Sequence, residues 1–151
     1  MRWTIALVTL ALAGCGGTEE TVIEPEEVEI APERILYQDI EANDLFGASC
    51  AFAPAGGGSG AIAIAMLDAG FIKIGGEIVR LAAINEEQQL DPPELKFAGE
   101  DYAFSLNLDP ETERPREGNG REFDAQLSVR ARDGSTIYDS AGLVQCGSAP
   151  S

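Results

Sequence analysis

Residues 122–132 read EFDAQLSVRAR, and Asp133-Gly134 follows them directly. In this stretch apolar side chains alternate with polar or charged ones, which is typical of a β-strand with one buried face and one face in water. Asp-Gly is among the strongest signals for a two-residue hairpin turn. The stretch therefore predicts a long amphipathic strand that ends in a β-hairpin.

The same period of two recurs from Ser49 onward. It is clearest in two further runs: Tyr102, Phe104, Leu106 and Leu108, and Ile62, Ile64 and Met66 with alanines on the other face. Shorter strands are expected at Phe71–Ile74, Glu77–Ile84, Glu94–Ala98, Ser135–Asp139 and Leu143–Gly147. About eight short antiparallel strands predict an all-β fold, either a small barrel or a sandwich.

Composition is consistent with one folded domain in a chain of 151 residues, since 44% of the residues are apolar. The chain has 26 acidic and 10 basic residues, for a formal net charge of −16. Such a charge repels nucleic acid phosphates and anionic lipid headgroups, so nucleic acid is not expected as a partner. A basic envelope or foreign protein is compatible with it.

The first fifteen residues look like an export signal. Met1-Arg2 precedes an apolar run over residues 3–13, which is too short for a permanent membrane helix and right for a secretory leader. The run ends in Leu12-Ala13-Gly14-Cys15, which resembles the lipobox of bacterial lipoproteins. An ordinary cleaved leader is the alternative, because small residues before the cleavage site serve both kinds of signal peptidase.

The lipobox resemblance implies that residues 1–14 are removed and that Cys15 carries a lipid anchoring the protein to a membrane. Lipoproteins held at the inner membrane usually have Asp after the cysteine. Gly16 therefore implies the periplasmic face of the outer membrane.

Residues 15–33 are expected to form an acidic tether, because they contain many glutamates, no basic residue and two prolines. An acidic binding tail is the alternative. A single β domain is then expected over residues 34–151. Its first part, Ile35 to Phe46, is interpreted as a short helix or an irregular lead-in.

The three cysteines predict one disulfide. Cys15 is consumed by the lipid, which leaves Cys50 in the first strand and Cys146 in the last. An oxidising periplasm favours their pairing over two separately buried thiols. The bond would join the first and last strands, where a barrel closes.

Catalytic residue types are scarce. Histidine is absent, which excludes Ser-His-Asp triads, Cys-His pairs and ordinary zinc sites. A Ser-Lys dyad would require Ser49, Ser59 or Ser105 beside Lys73 or Lys96. We therefore expect no enzyme, no catalytic residue, no cofactor and no metal.

Three other patterns favour plain loops over sites. The glycine-rich residues 55–60 lack the Gly-Lys-Ser/Thr ending of a phosphate loop. The carboxylate pairs Glu86-Glu87 and Glu100-Asp101 look like solvated turns. Residues 109–113 loosely resemble a calcium loop, but Arg114 stands where an EF-hand needs glycine.

The order of features from Ser49 to Gly147 resembles the membrane-bound inhibitors of c-type lysozyme, which are small lipoproteins with an eight-stranded antiparallel barrel. The features are Cys50 with Phe52, the segment 71–76 leading to Leu81, the strand at Tyr102, and Cys146. The family's Ser-Gly loop has no counterpart in residues 83–95, and its Trp-rich strand is missing. The resemblance thus implies a fold and no inhibitory residue.

Three functions follow as hypotheses. The first is a non-enzymatic envelope lipoprotein with a binding or structural role. The second is an inhibitor of c-type lysozyme, towards which an acidic domain would be steered by charge. The third is a carboxylate-dependent hydrolase, which would need two facing acids with one raised pKa.

Overall fold

The computed structural model describes residues 16–17, 30–84 and 93–147. The predicted leader, Cys15 and most of the predicted tether lie outside these residues, as do Glu86 and Glu87. The described elements are, in chain order, α1 (Tyr37–Ala42), β1 (Ser49–Pro54), β2 (Ala63–Ala65), β3 (Ala69–Ile74), β4 (Glu77–Ala83), β5 (Glu94–Ala98), β6 (Tyr102–Leu108), a 3₁₀ turn (Pro110–Thr112), β7 (Arg114–Pro115), β8 (Arg121–Ala131) and β9 (Thr136–Gly147).

Eight of these strands form a closed antiparallel barrel. Hydrogen-bonded neighbours follow the order β6-β5-β4-β3-β2-β1-β9-β8, and β6 also pairs with β8, so the sheet closes on itself. The short β7 adds to the free part of the β8 edge at Glu122 and Arg121. The predicted all-β fold is confirmed. Because the β6–β8 pairing closes the sheet, the fold is a barrel and not a sandwich.

The barrel interior is filled by the apolar side of each strand. In β8 the buried side chains Phe123, Leu127 and Val129 alternate with exposed polar ones, as the period of two predicts. In β3 the interior needs a glycine, because a Cβ on Gly70 would lie 2.6 Å from ring atoms of both Phe97 and Phe104. Those two rings pack with their centroids 4.8 Å apart.

The last strand is longer than expected. Two separate strands are predicted after residue 134, but β9 runs unbroken from Thr136 to Gly147. Gly142 lies in its middle, where a Cβ would collide with the Ala53 carbonyl and the Phe52 ring of β1. A glycine at this position allows the backbones of β9 and β1 to approach closely, and the strand continues through it.

The residues before β1 pack on the outside of the barrel. Ile35 and Leu45, which flank α1, are buried against Ile64 and Phe71 on the outer faces of β2 and β3. α1 itself contains no buried residue. The expected short helix is therefore present, and the side chains on either side of it hold it in place.

The two ends of the barrel carry different connections. One end, which we call the hairpin end, carries residues 55–62, 75–76, 99–101 and 132–135. The other end carries residues 66–68 and 109–120, the entry into β1 and the exit from β9. Glu33 lies at the hairpin end, where its Oε1 accepts a hydrogen bond from the Gly76 N–H at 2.9 Å.

Candidate functional site

The predicted disulfide is present. Cys50 of β1 and Cys146 of β9 face each other directly in the register of the two strands and are bonded through sulfur. Both residues are buried in the barrel core. The alternative of two separate thiols is thus excluded, and the bond joins the first and last strands as expected.

Among the serines and lysines that a Ser-Lys dyad would require, Ser105 and Lys96 lie side by side in the fold. The two residues are directly opposite each other on β6 and β5. The Lys96 side chain is 45% exposed, and its Nζ lies 3.0 Å from Glu94 Oε2. The Lys96 side chain thus forms an ion pair with Glu94 at the barrel surface.

The other lysine serves the fold. Lys73 Nζ donates hydrogen bonds to both carboxylate oxygens of Asp39, at 2.9 and 3.0 Å. The Leu36 N–H donates to the same carboxylate at 2.8 Å. This backbone hydrogen bond, followed by the one from Lys73, lowers the pKa of Asp39. The arrangement ties α1 to β3.

The acidic candidates among the described residues lie in turns at the surface. Glu100 and Asp101 are exposed in the turn between β5 and β6, and Asp101 lies 3.8 Å from an Arg132 nitrogen. Asp109 caps the 3₁₀ turn by accepting the Glu111 N–H at 3.0 Å. Over residues 16–17, 30–84 and 93–147 there is no cluster of three or more acidic, Cys or His residues that could hold a metal.

The glycine-rich loop is held by a side chain. Arg34 donates hydrogen bonds to the carbonyl oxygens of Gly57 at 2.6 Å and of Ser59 and Gly60 at 3.3 Å. Its guanidinium occupies the concave side of the loop, since a Cβ on Gly58 would lie 2.8 Å from it. Arg34 thus fixes the connection between β1 and β2 through its carbonyl oxygens.

A groove of about 900 Å³ lies at the end of the barrel opposite the hairpin end. One side is apolar and consists of Tyr37, Ile40 and Phe46. The other side is the connection from β7 to β8, with Arg116 and Arg121. The outer faces of β1 and β9 form the floor between them.

Two aromatic side chains shape the apolar side. The rings of Tyr37 and Phe46 meet edge to face with centroids 6.4 Å apart. Tyr37 is 66% exposed and Phe46 47% exposed. Aromatic groups that are exposed but fixed by a neighbour are favourable anchors for a partner, because little side-chain entropy is lost on binding.

A buried carboxylate organises the polar side. Glu122 is only 9% exposed and lies on the outer face of β8. Its two oxygens lie 3.3 Å from Arg114 Nε and Arg116 NH1, and it accepts a hydrogen bond from Gln145 Nε2 at 3.2 Å. Arg116 and Gln145 therefore line the groove in orientations that Glu122 fixes.

Arg114 stands behind this network. It donates to Asp124 Oδ1 at 2.7 Å, and this bond, followed by the contact with Glu122, raises the pKa of Arg114. A permanently charged guanidinium held between two carboxylates stabilises the β7–β8 edge without itself facing the groove. Its role is to position neighbouring residues.

Sequence reasoning does not find this groove. The groove brings residues 37–47 next to residues 115–121. No local sequence pattern links two segments so far apart in the chain. One signal was available: Arg114, Arg116 and Arg121 lie within eight positions of an otherwise acidic sequence. In the structure, the connection that carries these arginines forms one wall of the groove.

Among the described residues, no helix is both long and apolar enough to cross a membrane. Comparison with known proteins gives no relative: no family model, no curated protein and no solved structure matches this chain.

Proposed function

We propose that the protein is a bacterial envelope lipoprotein, anchored through a lipid on Cys15, whose barrel binds another protein in the groove and performs no catalysis. The anchor is supported by the leader and by Leu12-Ala13-Gly14-Cys15. Binding is supported above all by the pair Tyr37 and Phe46, which stays largely exposed beside a concave floor.

The groove has the anatomy of a protein-binding surface. One wall of the groove is aromatic and apolar and the other is charged, and both aromatic and arginine side chains are enriched at protein interfaces. The charged edge is preorganised, since Arg116 and Gln145 are held by the buried Glu122. Fixed side chains lower the entropy cost of binding.

Charge favours a basic partner. The two groove arginines have acidic neighbours: Arg116 lies beside Glu122 and Arg121 within 3.6 Å of Glu113. Glu117 adds an exposed carboxylate to the same wall, and the whole chain has a net charge of −16. Long-range attraction would therefore steer a basic protein to this surface and raise its association rate.

The anchor and the groove would lie at opposite ends. Glu33 pairs with Lys73 of β3, and its side chain accepts the Gly76 N–H at the hairpin end, so the end of the proposed tether meets the barrel there. Cys15 precedes Glu33 by 18 positions, a length that spans roughly 20–25 Å as a flexible chain. The groove would then face away from the membrane.

The test uses the full chain, expressed in a Gram-negative host and purified in detergent. Partners are captured from envelope extract, and the affinity of the recovered partner is measured for Phe46→Asp and for Leu67→Asp. Leu67 is the matched control, since it is exposed at the same end of the barrel but does not line the groove. We expect Phe46→Asp to weaken binding by at least about tenfold and Leu67→Asp to leave it unchanged.

If both variants lost the same affinity for the partner, the groove would not be the binding surface. The same conclusion would follow if no protein were captured at low salt. The anchor is tested separately by mass spectrometry of the purified chain. Diacylglyceryl on Cys15 with residues 1–14 removed is the expected product, and a free thiol at Cys15 rejects the lipoprotein assignment.

A second candidate function is inhibition of c-type lysozyme. The observation that favours it is the closed eight-stranded barrel with its Cys50–Cys146 bond, which is the fold that the family resemblance implies. Purified protein should then slow the lysis of cell walls by a c-type lysozyme at equimolar ratio. An unchanged rate at a large excess of the protein rules this function out.

A further inference from the structure

The wall of the groove that carries the arginines contains the sequence Asn119-Gly120. These residues lie in the connection between β7 and β8, whose members Arg116, Glu117, Gly120 and Arg121 line the groove. We propose that Asn119 is a modification site, at which spontaneous deamidation converts a neutral side chain of the connection that lines the groove into a carboxylate.

The chemistry needs only the chain and water. The Gly120 backbone nitrogen attacks Asn119 Cγ, so a C–N bond forms, the Cγ–Nδ2 bond breaks, and ammonia leaves with the proton lost by the Gly120 nitrogen. Water then opens the resulting succinimide at one of its two carbonyls and yields aspartate or isoaspartate. Glycine promotes the attack because it has no Cβ to hinder the approach of its nitrogen, and asparagine is among the thermolabile residues of proteins.

Local structure leaves the reaction open to solvent. Asn119 is exposed, and the neighbouring Gly118 has φ +69°, a turn conformation. The loop is closed by a hydrogen bond from the Arg116 N–H to the Gly120 carbonyl oxygen at 2.8 Å. This bond engages the oxygen of Gly120 and not the nitrogen that must attack.

Other described asparagines are matched controls. Asn107 lies inside β6 between Glu94 and Gln126 of the adjacent strands, and a leucine follows it. Asn43 ends α1, where its side-chain nitrogen donates to the Asp39 carbonyl at 2.8 Å, and an aspartate follows it. A following residue with a Cβ hinders attack at both positions.

The product would change the groove. A new carboxylate would stand in the same loop as Arg116 and Arg121, and isoaspartate would also lengthen the backbone of that loop by one atom. If the groove binds a basic partner, which rests on the proposed function, the aspartate form should bind more tightly at low salt. The modification itself does not depend on that function.

The experiment follows the purified full chain during prolonged incubation in mildly alkaline buffer. Peptide mapping by tandem mass spectrometry should show the mass gain of amide-to-acid conversion at Asn119, with Asn43 and Asn107 unconverted, and isoelectric focusing should show a shift to lower isoelectric point. Asn119→Gln keeps an amide but would have to close a larger ring, so its focusing pattern should stay constant over the same period.

A parallel incubation in urea separates the fold from the sequence. Conversion at Asn119 in both the folded and the unfolded chain supports the proposal. Conversion in urea alone overturns it, because the folded loop would then block the attack, and so does equal conversion at Asn107. Binding is measured afterwards on Asn119→Asp, so a failure of the groove hypothesis remains distinct from a failure of the modification.

Discussion

At the scale of single residues, the most constrained polar group is Glu122. Carboxylates are seldom buried unless they are paired, because loss of water disfavours the charged form. Glu122 meets this requirement through Arg114, Arg116 and Gln145. The alternation of the strand predicts that the Glu122 side chain is exposed, because the next residue, Phe123, points into the barrel and Glu122 lies on the other face.

Replacing Glu122 with Gln should lower the free energy of unfolding by about 1–3 kcal/mol, because the neutral amide cannot compensate two guanidinium groups in a partly buried position. Urea unfolding at neutral pH measures the change. Asp124→Asn is the control: Asp124 also binds Arg114 but is largely exposed, so its loss should change stability by less than about 1 kcal/mol. Similar effects for both variants would contradict the special role of Glu122.

At the scale of elements, α1 is held on the barrel by the buried residues that flank it and by the ion pair of its Asp39 with Lys73. Ile35 is completely buried, whereas its neighbour Leu36 is 42% exposed. The Ile35 backbone also pairs with Ala61, with the two N–H···O distances at 2.7 and 3.1 Å. Two isolated β-bridges, Glu33 with Lys73 and Ile35 with Ala61, thus attach the residues before α1 to the outside of the barrel.

Ile35→Ala should reduce the free energy of unfolding by about 2–4 kcal/mol through lost burial and a residual cavity. Leu36→Ala, one position along, should cost less than about 1 kcal/mol because the side chain is already half in water. Differential unfolding of the two variants in urea checks this contrast. If both variants are equally stable, the segment is not part of the cooperative fold.

The hold of α1 on β3 should depend on pH. The pKa of Asp39 is lowered in the folded state by the Leu36 N–H and by Lys73. Its contribution to stability is therefore fully present above the ordinary value of 3.8 and is lost as the pH falls through the lower folded pKa.

Asp39→Asn should consequently be less stable than the parent chain at neutral pH, and the difference should shrink as the pH falls below 3.8. Urea midpoints measured across that range test the prediction. Glu41→Gln, an exposed carboxylate on the same helix, should show little difference from the parent at neutral pH. If the difference in stability between Asp39→Asn and the parent chain stayed constant down to strongly acidic pH, the proposed contribution of the ion pair would be wrong.

At the scale of the whole molecule, the barrel is joined at β1 and β9 by one covalent bond that spans 96 positions of the chain. A cross-link of that span removes much of the conformational freedom of the unfolded chain. It acts together with the direct pairing of Ser49–Pro54 with residues 142–147.

Removal of the bond in a Cys50→Ala, Cys146→Ala double variant should lower the free energy of unfolding by about 4–5 kcal/mol on the chain-entropy estimate. The parent chain unfolded with and without reductant is the internal control and should show a similar loss. A loss below about 1 kcal/mol in both comparisons would mean that the unfolded chain keeps its ends together without the bond.

Strands β8 and β9 show which features of a strand a local sequence pattern can predict. The alternation over residues 122–132 predicts a strand, and β8 follows it with Phe123, Leu127 and Val129 inside the barrel. The prediction of two separate strands, Ser135–Asp139 and Leu143–Gly147, is wrong, because β9 is continuous through Gly142. A glycine is needed at position 142 because Ala53 and Phe52 of the neighbouring strand β1 approach its backbone closely.

The amino-acid sequence by itself determined the strand content, the Asp133-Gly134 hairpin and the pairing of Cys50 with Cys146. Each depends on side-chain alternation, turn chemistry or simple elimination, which are properties of short segments or of composition. Only the tertiary structure decided that the sheet closes into a barrel and that Tyr37 and Phe46 face Arg116 across a groove. Closure and grooves depend on the register and curvature of strands far apart in the chain, and these are set by how all of the side chains pack together.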